Sequence, residues 1–186
     1  MFFEERTFPA AAQALCAHLN RLLNTTLTRS RMGYVIDPAS PRIADLHLRE
    51  GRMPGARLRS PRFGPLFLHL GQYVASEPAA GGRHRLRAVR YRYALSSALD
   101  TEALVRWESS PGAGHGHDLW CRYHVQGTAR IDFPRHTAIL NDLHLPTGLV
   151  TIEDIVRFCI VDLGVKPLSG DWDQILHQGL STGGGG

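Results

Sequence analysis

Residues 84–95 read HRLRAVRYRYAL. Val89, Tyr91, Tyr93 and Leu95 alternate with Arg90 and Arg92, the period-two pattern of a strand with one face buried and one in water. ALVRWE (103–108) repeats the pattern, with Val105 and Trp107 opposite Arg106 and Glu108. So does DLWCRYHVQ (118–126), where Leu119, Cys121, Tyr123 and Val125 stand opposite Trp120, Arg122, His124 and Gln126. The turn-forming segment SSPGAGHG (109–116) separates the last two. Three neighbouring strands of this kind predict an antiparallel meander. Ala129–Phe133 adds a short strand.

An amphipathic helix is expected on each side of this sheet. Toward the N-terminus, Ala12, Leu15, Cys16, Leu19, Leu22 and Leu23 follow a helical stripe. Thr7 is placed to cap it and Pro9 fits its first turn. Toward the C-terminus, Ile152, Ile155, Val156, Cys159, Ile160 and Leu163 form a second stripe. Thr151 and Asp154 are spaced as a capping box, and Gly164 and Pro167 stop the helix. A short last helix is expected from Asp171 to His177. Between the first helix and the meander, Met32–Ile36, Ile43–Leu48 and Leu66–Val74 read as strands. Arg49–Gly64, rich in Gly, Pro and Arg, reads as a basic loop, and Ser76–Gly82 as a loop or boundary.

The expected fold is therefore α+β, an antiparallel sheet covered on one face by helices. It divides into residues 1–82 (helix, short strands and basic loop, within the same domain or beside it), 83–178 (sheet and C-terminal helices) and a flexible glycine-rich tail, 179–186. The 186 residues suffice for an ordinary core, and 43% hydrophobic with 20% charged residues argues against a disordered chain. No apolar run approaches the roughly 18 residues of a membrane span. The N-terminus MFFEERTFPAAA has acids where a secretory signal has basic residues. A cytoplasmic protein without a membrane partner is expected.

Net charge is +4, unevenly spread. Arginines at 49, 52, 57, 59, 62, 83, 85, 87, 90 and 92 are accompanied in that stretch only by Glu50 and Glu77, whereas residues 149–186 are acidic. All but one of the 21 basic residues are arginine, whose planar fork matches phosphate oxygens. Arg57, Arg59, Arg85, Arg87, Arg90 and Arg92 are therefore candidate nucleic-acid contacts. Cys16, Cys121 and Cys159 are too scattered for a disulfide framework or a zinc site. The chain lacks GxGxxG, Walker, GxSxG and HExxH motifs, which disfavours nucleotide-cofactor enzymes, α/β-hydrolases and zincins.

Placed in one sheet, the three strands gather Arg90, Arg92, Arg106, Glu108, Arg122 and His124 on the face away from the helices. An imidazole can move a proton near neutral pH, a carboxylate can orient it or act as base, and arginines can hold a phosphodiester. With the 2′-hydroxyl as internal nucleophile, such a set supports RNA cleavage that needs neither metal nor cofactor. His124, Glu108, Arg106 and Arg122 are the candidate catalytic residues. Alternation alone also predicts a polar outer face, so a binding surface fits equally well. His115 and His117, with His124 or His136, offer a weaker metal-site alternative. His69 and His144 read as partners of buried or turn backbone groups. Tyr91, Tyr93 and Tyr123 share the apolar face and read as core.

RLRAVRYRYALSS (85–97), ALVRWESSP (103–111) and HGHDLWCRYHVQG (115–127) together resemble the core of TumE-type toxins of bacterial toxin–antitoxin modules. Arg106, Trp107 and Glu108 fall on that family's Arg-Tyr-Asp position and His124 on the last histidine of its His-rich strand. Glu108 stands where the family has Asp, Ser109 where it has Asn, and the denser histidines are absent. The helix TIEDIVRFCIVDLGV (151–165) lies where the family has its C-terminal helix. The resemblance covers residues 85–167 and implies a cytoplasmic toxin acting on RNA and silenced by an antitoxin protein. The alternative is a non-catalytic subunit that binds nucleic acid or an acidic protein through segment 49–92.

Overall fold

The computed structural model describes residues 3–98, 102–109, 122–133, 136–140 and 145–181. It is a large antiparallel sheet with helices packed on one side, the architecture expected from the alternating strands. The chain enters through a two-residue strand, β1 (Glu4–Glu5), and the helix α1 (Phe8–Thr26). Thr7 caps α1, its Oγ1 accepting from the Ala10 N–H at 3.3 Å, and Pro9 occupies the first turn. The stripe Phe8, Ala12, Cys16, Leu19 and Leu23 is buried.

The sheet then runs through β2 (Arg31–Asp37), β3 (Ser40–Glu50), β4 (Met53–Pro54), β5 (Ala56–Ser60), β6 (Gly64–Ala79), β7 (Arg83–Ser96), β8 (Val105–Ser109) and β9 (Tyr123–Gly127). Its described path is closed by β12 (Leu145–Pro146), giving the order β12-β9-β8-β7-β6-β3-β2, with β1 on β7, β4 on β3 and β5 on β6. The strands β10 (Arg130–Phe133) and β11 (His136–Ile139) form a separate hairpin. On the outer edge, the Asn20 side chain accepts from Met32 N–H at 2.7 Å and donates to Met32 C=O at 3.1 Å. That caps a backbone edge which would otherwise invite another strand.

Two segments differ from the sequence expectation. Arg49–Gly64 is not a loop: β3 ends there and β4 and β5 lie within it. Ala56, Leu58 and Ser60 are buried while Arg57 and Arg59 are exposed, so the segment alternates like any half-buried strand. Two of its three inward positions, Ala56 and Ser60, are small or hydroxylated, and the segment is rich in Gly, Pro and Arg. Ser60 fits because its Oγ donates to the Leu163 carbonyl at 2.5 Å and accepts from the Phe63 N–H at 2.8 Å. Ser76–Gly82 is mostly strand as well: β6 continues to Ala79 and a single 3-10 turn (Ala80–Gly82) leads straight into β7. Pairing with β7 holds these residues extended although their own sequence carries no apolar alternation.

One side of the sheet forms the core. Leu46 and Leu48 of β3, Leu66, Leu68, Leu70 and Val74 of β6, and Tyr91, Tyr93 and Leu95 of β7 are all buried there. They pack with α1 and with two C-terminal helices, α2 (Ile152–Val161) and α3 (Trp172–Ser181). Tyr91 and Tyr93 are core, as expected, and Tyr123 is partly buried against it: Tyr91 stacks on Tyr93 at 4.7 Å and on Tyr123 at 6.2 Å between centroids. The Tyr91 hydroxyl accepts from the Val150 N–H at 3.2 Å, just before α2 begins. Both arms of the capping box on α2 form, with Asp154 N–H donating to Thr151 Oγ1 and Thr151 N–H to Asp154 Oδ2. Trp107 meets Phe158 of α2 edge to face at 5.3 Å. No described helix is long and apolar enough to cross a membrane.

Candidate functional site

All three helices lie against the side just described, and the opposite side of the sheet carries the charge. A bulge in β7 decides how much. Tyr73 pairs with Arg90 and Val74 with Ala88, so Val89 is an extra residue between them. A bulge shifts the phase of alternation by one. Arg83, Arg85 and Arg87 pair with Ala79, Glu77 and Ala75, which share a face of β6 with Tyr73 and Gly71, the partners of Arg90 and Arg92. Odd-numbered and even-numbered arginines of β7 thus end on one surface. Arg57 and Arg59 join them from β5, Arg31 and Arg49 from a directly opposed pair on β2 and β3, and Arg106 from β8.

Within this face Glu108 is the centre of a polar row, with Arg92 opposite it on β7 and His124 opposite it on β9. Its Oε1 is 3.1 Å from Arg92 Nε. Its Oε2 is 3.0 Å from Arg106 Nε and 3.7 Å from His124 Nε2. Arg106 Nη2 donates to Gln126 Oε1 at 2.5 Å, while its buried Nε makes no aligned hydrogen bond among the described residues. The contact of Arg106 Nε with Glu108 is therefore Coulombic rather than directional. Both oxygens of Glu108 face guanidinium groups, so this carboxylate serves as a counter-ion between two arginines. The His124 side chain is only 9% exposed. Three of the four candidate catalytic residues are brought together, with His124 buried and Glu108 and Arg106 partly exposed. The fourth, Arg122, precedes β9, and its guanidinium lies over the Tyr123 ring at 5.4 Å.

The candidate nucleic-acid contacts are more exposed. Arg90 lies over the Tyr73 ring at 4.4 Å and Arg57 over Phe67 at 5.9 Å. Arg85 pairs with Glu4 across β1, and Arg87 with Glu77. Arg59 is exposed on β5. Beside the Glu108 row, a groove of about 610 Å³ opens over β3, β6 and β7, lined among others by Asp45, His47, His69, Gly71, Tyr73 and Arg92. Burial pulls the His47 imidazole below its usual pKa, Arg49 adds to this and Asp45 opposes it. Burial and then Arg92 do the same to His69. Both rings are consequently neutral at pH 7 and can donate and accept.

His69 does not serve buried backbone, contrary to the sequence expectation; its side chain lines the groove. His47, Gly71, Tyr73 and Asp45 were not singled out at all. The signal was present: Asp45, His47 and Arg49 alternate with Ala44, Leu46 and Leu48, and His69 and Gly71 with Leu68 and Leu70. The two described cysteines are poor nucleophiles, since burial pushes Cys16 up to about 11 and Cys159 to about 12. Among the described residues no three His, Cys, Asp or Glu side chains are grouped as metal ligands. His115, His117, Cys121, His144 and the tail 182–186 lie outside the described residues.

No family model matches the chain, and neither a curated protein nor a solved structure gives a significant match. The likeness to TumE-type toxins thus rests on its short motifs.

Proposed function

We propose that this protein binds single-stranded nucleic acid, RNA in the first place, along the open face of its sheet. The observation that carries this reading is the convergence of arginines from β5, β7 and β8 on the side that no described helix covers. Arginine forks take phosphate oxygens in pairs and stack on bases, and a broad sheet surface suits an unpaired strand better than a duplex groove. The test is fluorescence anisotropy with a labelled single-stranded RNA between 50 and 200 mM salt, titration points chosen to resolve counterion release. Binding that weakens steeply with salt supports the reading, and Arg57→Ala together with Arg90→Ala should weaken it further. No binding at low salt would end it.

A second reading is favoured by the assembly of His124, Glu108, Arg92 and Arg106 in one row. Here the protein is the ribonuclease toxin of a bacterial toxin–antitoxin or defence module, with His124 moving the proton of a 2′-hydroxyl and an antitoxin protein covering the basic face. The burial of His124 and the engagement of Glu108 by two guanidinium groups weigh against it. Incubation of RNA with chelator separates the two readings. Binding alone leaves RNA intact with wild type and with His124→Ala. Cleavage by wild type and not by the variant would make the row catalytic.

A further inference from the structure

Gly71 sits in the middle of β6 with no structural need to be glycine. Its backbone is not among the positive-φ residues, and a Cβ there would meet only the Arg92 carbonyl, at an ordinary 3.5 Å. A β-branched residue would suit a central strand better, and a strand glycine often marks close approach of a ligand. The missing side chain leaves a hollow in the open face. His47 and Arg92 stand across it on the neighbouring strands, and His69 and Tyr73 stand two residues away along β6. Every side of the hollow therefore carries a planar group: two imidazoles, a phenol and a guanidinium. His47 leans toward Gly33, where a side chain would start 4.0 Å from its Nε2, so the space above Gly71 is open.

Strands lie about 4.8 Å apart, which puts His47 and Arg92 roughly 9.5 Å from each other across Gly71. Bases stack about 3.4 Å apart, so a ring held between two planes needs about 7 Å. A flat heterocycle fits with room for the side chains to close on it. The groove, at about 610 Å³, is also larger than one phosphate requires. Acids as well as arginines line it. Asp45 and Glu102 line it together with Arg90, Arg92 and Arg106. Carboxylates repel phosphate but accept from the amino and imino groups of a base edge.

We propose that the Gly71 hollow is the subsite for one unstacked nucleobase of the bound strand, held between the planar side chains around it while Arg90 contacts a flanking phosphate. This rests on the open face being a nucleic-acid surface and adds where a base, as opposed to the backbone, is held.

The test compares the full chain with Gly71→Val, His47→Ala and His47→Phe, using labelled single-stranded oligoadenylate and, as a base-free polyanion, inorganic polyphosphate. Gly71→Val should weaken RNA binding about tenfold, the worth of one lost stack, while polyphosphate binding and the salt slope stay unchanged. His47→Ala should weaken RNA binding severalfold and His47→Phe should restore it. The histidine pair decides the matter if the valine variant loses its cooperative unfolding. Unchanged RNA affinity in a folded Gly71→Val protein would overturn the base slot while leaving the binding face standing. So would an equal loss for both ligands with a shallower salt slope, which would make the hollow a phosphate site. A wild-type chain that binds neither ligand would remove the binding face and the slot with it.

Discussion

Leu46, Leu68, Tyr93 and Leu95 lie sealed under the helices, and their immediate neighbours along the same strands, His47, His69, Arg92 and Ala94, line a groove on the other side. Both sets are placed by one backbone and one register. The covered side holds large apolar side chains packed in one cluster, as stability demands. The open side holds like charges directly opposed at Arg31 and Arg49, a carboxylate between two arginines, and a glycine where a valine would fit. The opposed arginines and the glycine do not help the fold, and both suit a ligand surface. The comparison teaches that stability and binding should separate cleanly when the two sides are altered in turn.

The largest effect should come from the covered side. Leu68→Ala removes a fully buried side chain beneath the groove and should cost about 2–5 kcal/mol in chemical denaturation. RNA affinity of the remaining folded protein should not change. Gly55 and Gly71, both lining the groove, differ in what a side chain would meet. Gly55 has φ +85°, and a Cβ there would stand 2.6 Å from the Leu68 carbonyl. Gly55→Ala should cost about 1–3 kcal/mol, whereas Gly71→Ala should stay within about 0.5 kcal/mol in the same denaturation series. Thr151→Ala removes one arm of the capping box on α2 and should cost about 1 kcal/mol, with no effect on binding. Arg90→Ala should leave stability within about 0.5 kcal/mol yet reduce the salt slope of RNA binding by about one.

The smallest effect is a pH dependence of the groove itself. His47 and His69 titrate below the usual 6.5 in the folded protein, through burial and then Arg49 and Arg92 respectively. The unfolded chain takes up these protons first as pH falls. Their contribution to stability is therefore complete above about pH 6.5 and is lost as pH drops through the folded values. Melting temperature should decline from pH 7.5 to 5.5, and His69→Gln should flatten part of that decline. An identical slope in the variant would show that His69 is no more buried than a surface imidazole.

Much of this was legible in the sequence where side-chain pattern and structure share a cause. The stripe from Ala12 to Leu23 and the Thr151–Asp154 spacing announce their helices, and the alternation around Tyr91, Trp107 and Tyr123 announces the meander. Arg49–Gly64 was missed because the inward residues Ala56 and Ser60 carry little hydrophobic signal; pairing with β6 makes that segment a strand. The union of Arg85 and Arg87 with Arg90 and Arg92 on one face depends on the Val89 bulge, a property of two strands that neither shows alone. His124 and Glu108 were placed correctly beside each other by alternation. The burial of His124 was not legible, because alternation assigns a face and not the depth of a side chain within it. The flanking leucines hid His47 altogether and made His69 look like a partner of buried backbone.

The central claim is that the uncovered side of the sheet is the functional side. The most direct measurement is ultraviolet cross-linking of a 4-thiouridine-containing single-stranded RNA to the full chain, followed by mapping of the modified peptides. Adducts should fall in residues 45–49, 69–73 and 83–92, and Gly71→Val should deplete those at 69–73. Adducts concentrated on α1 or α2, or their absence under conditions where the RNA is bound, would contradict the account.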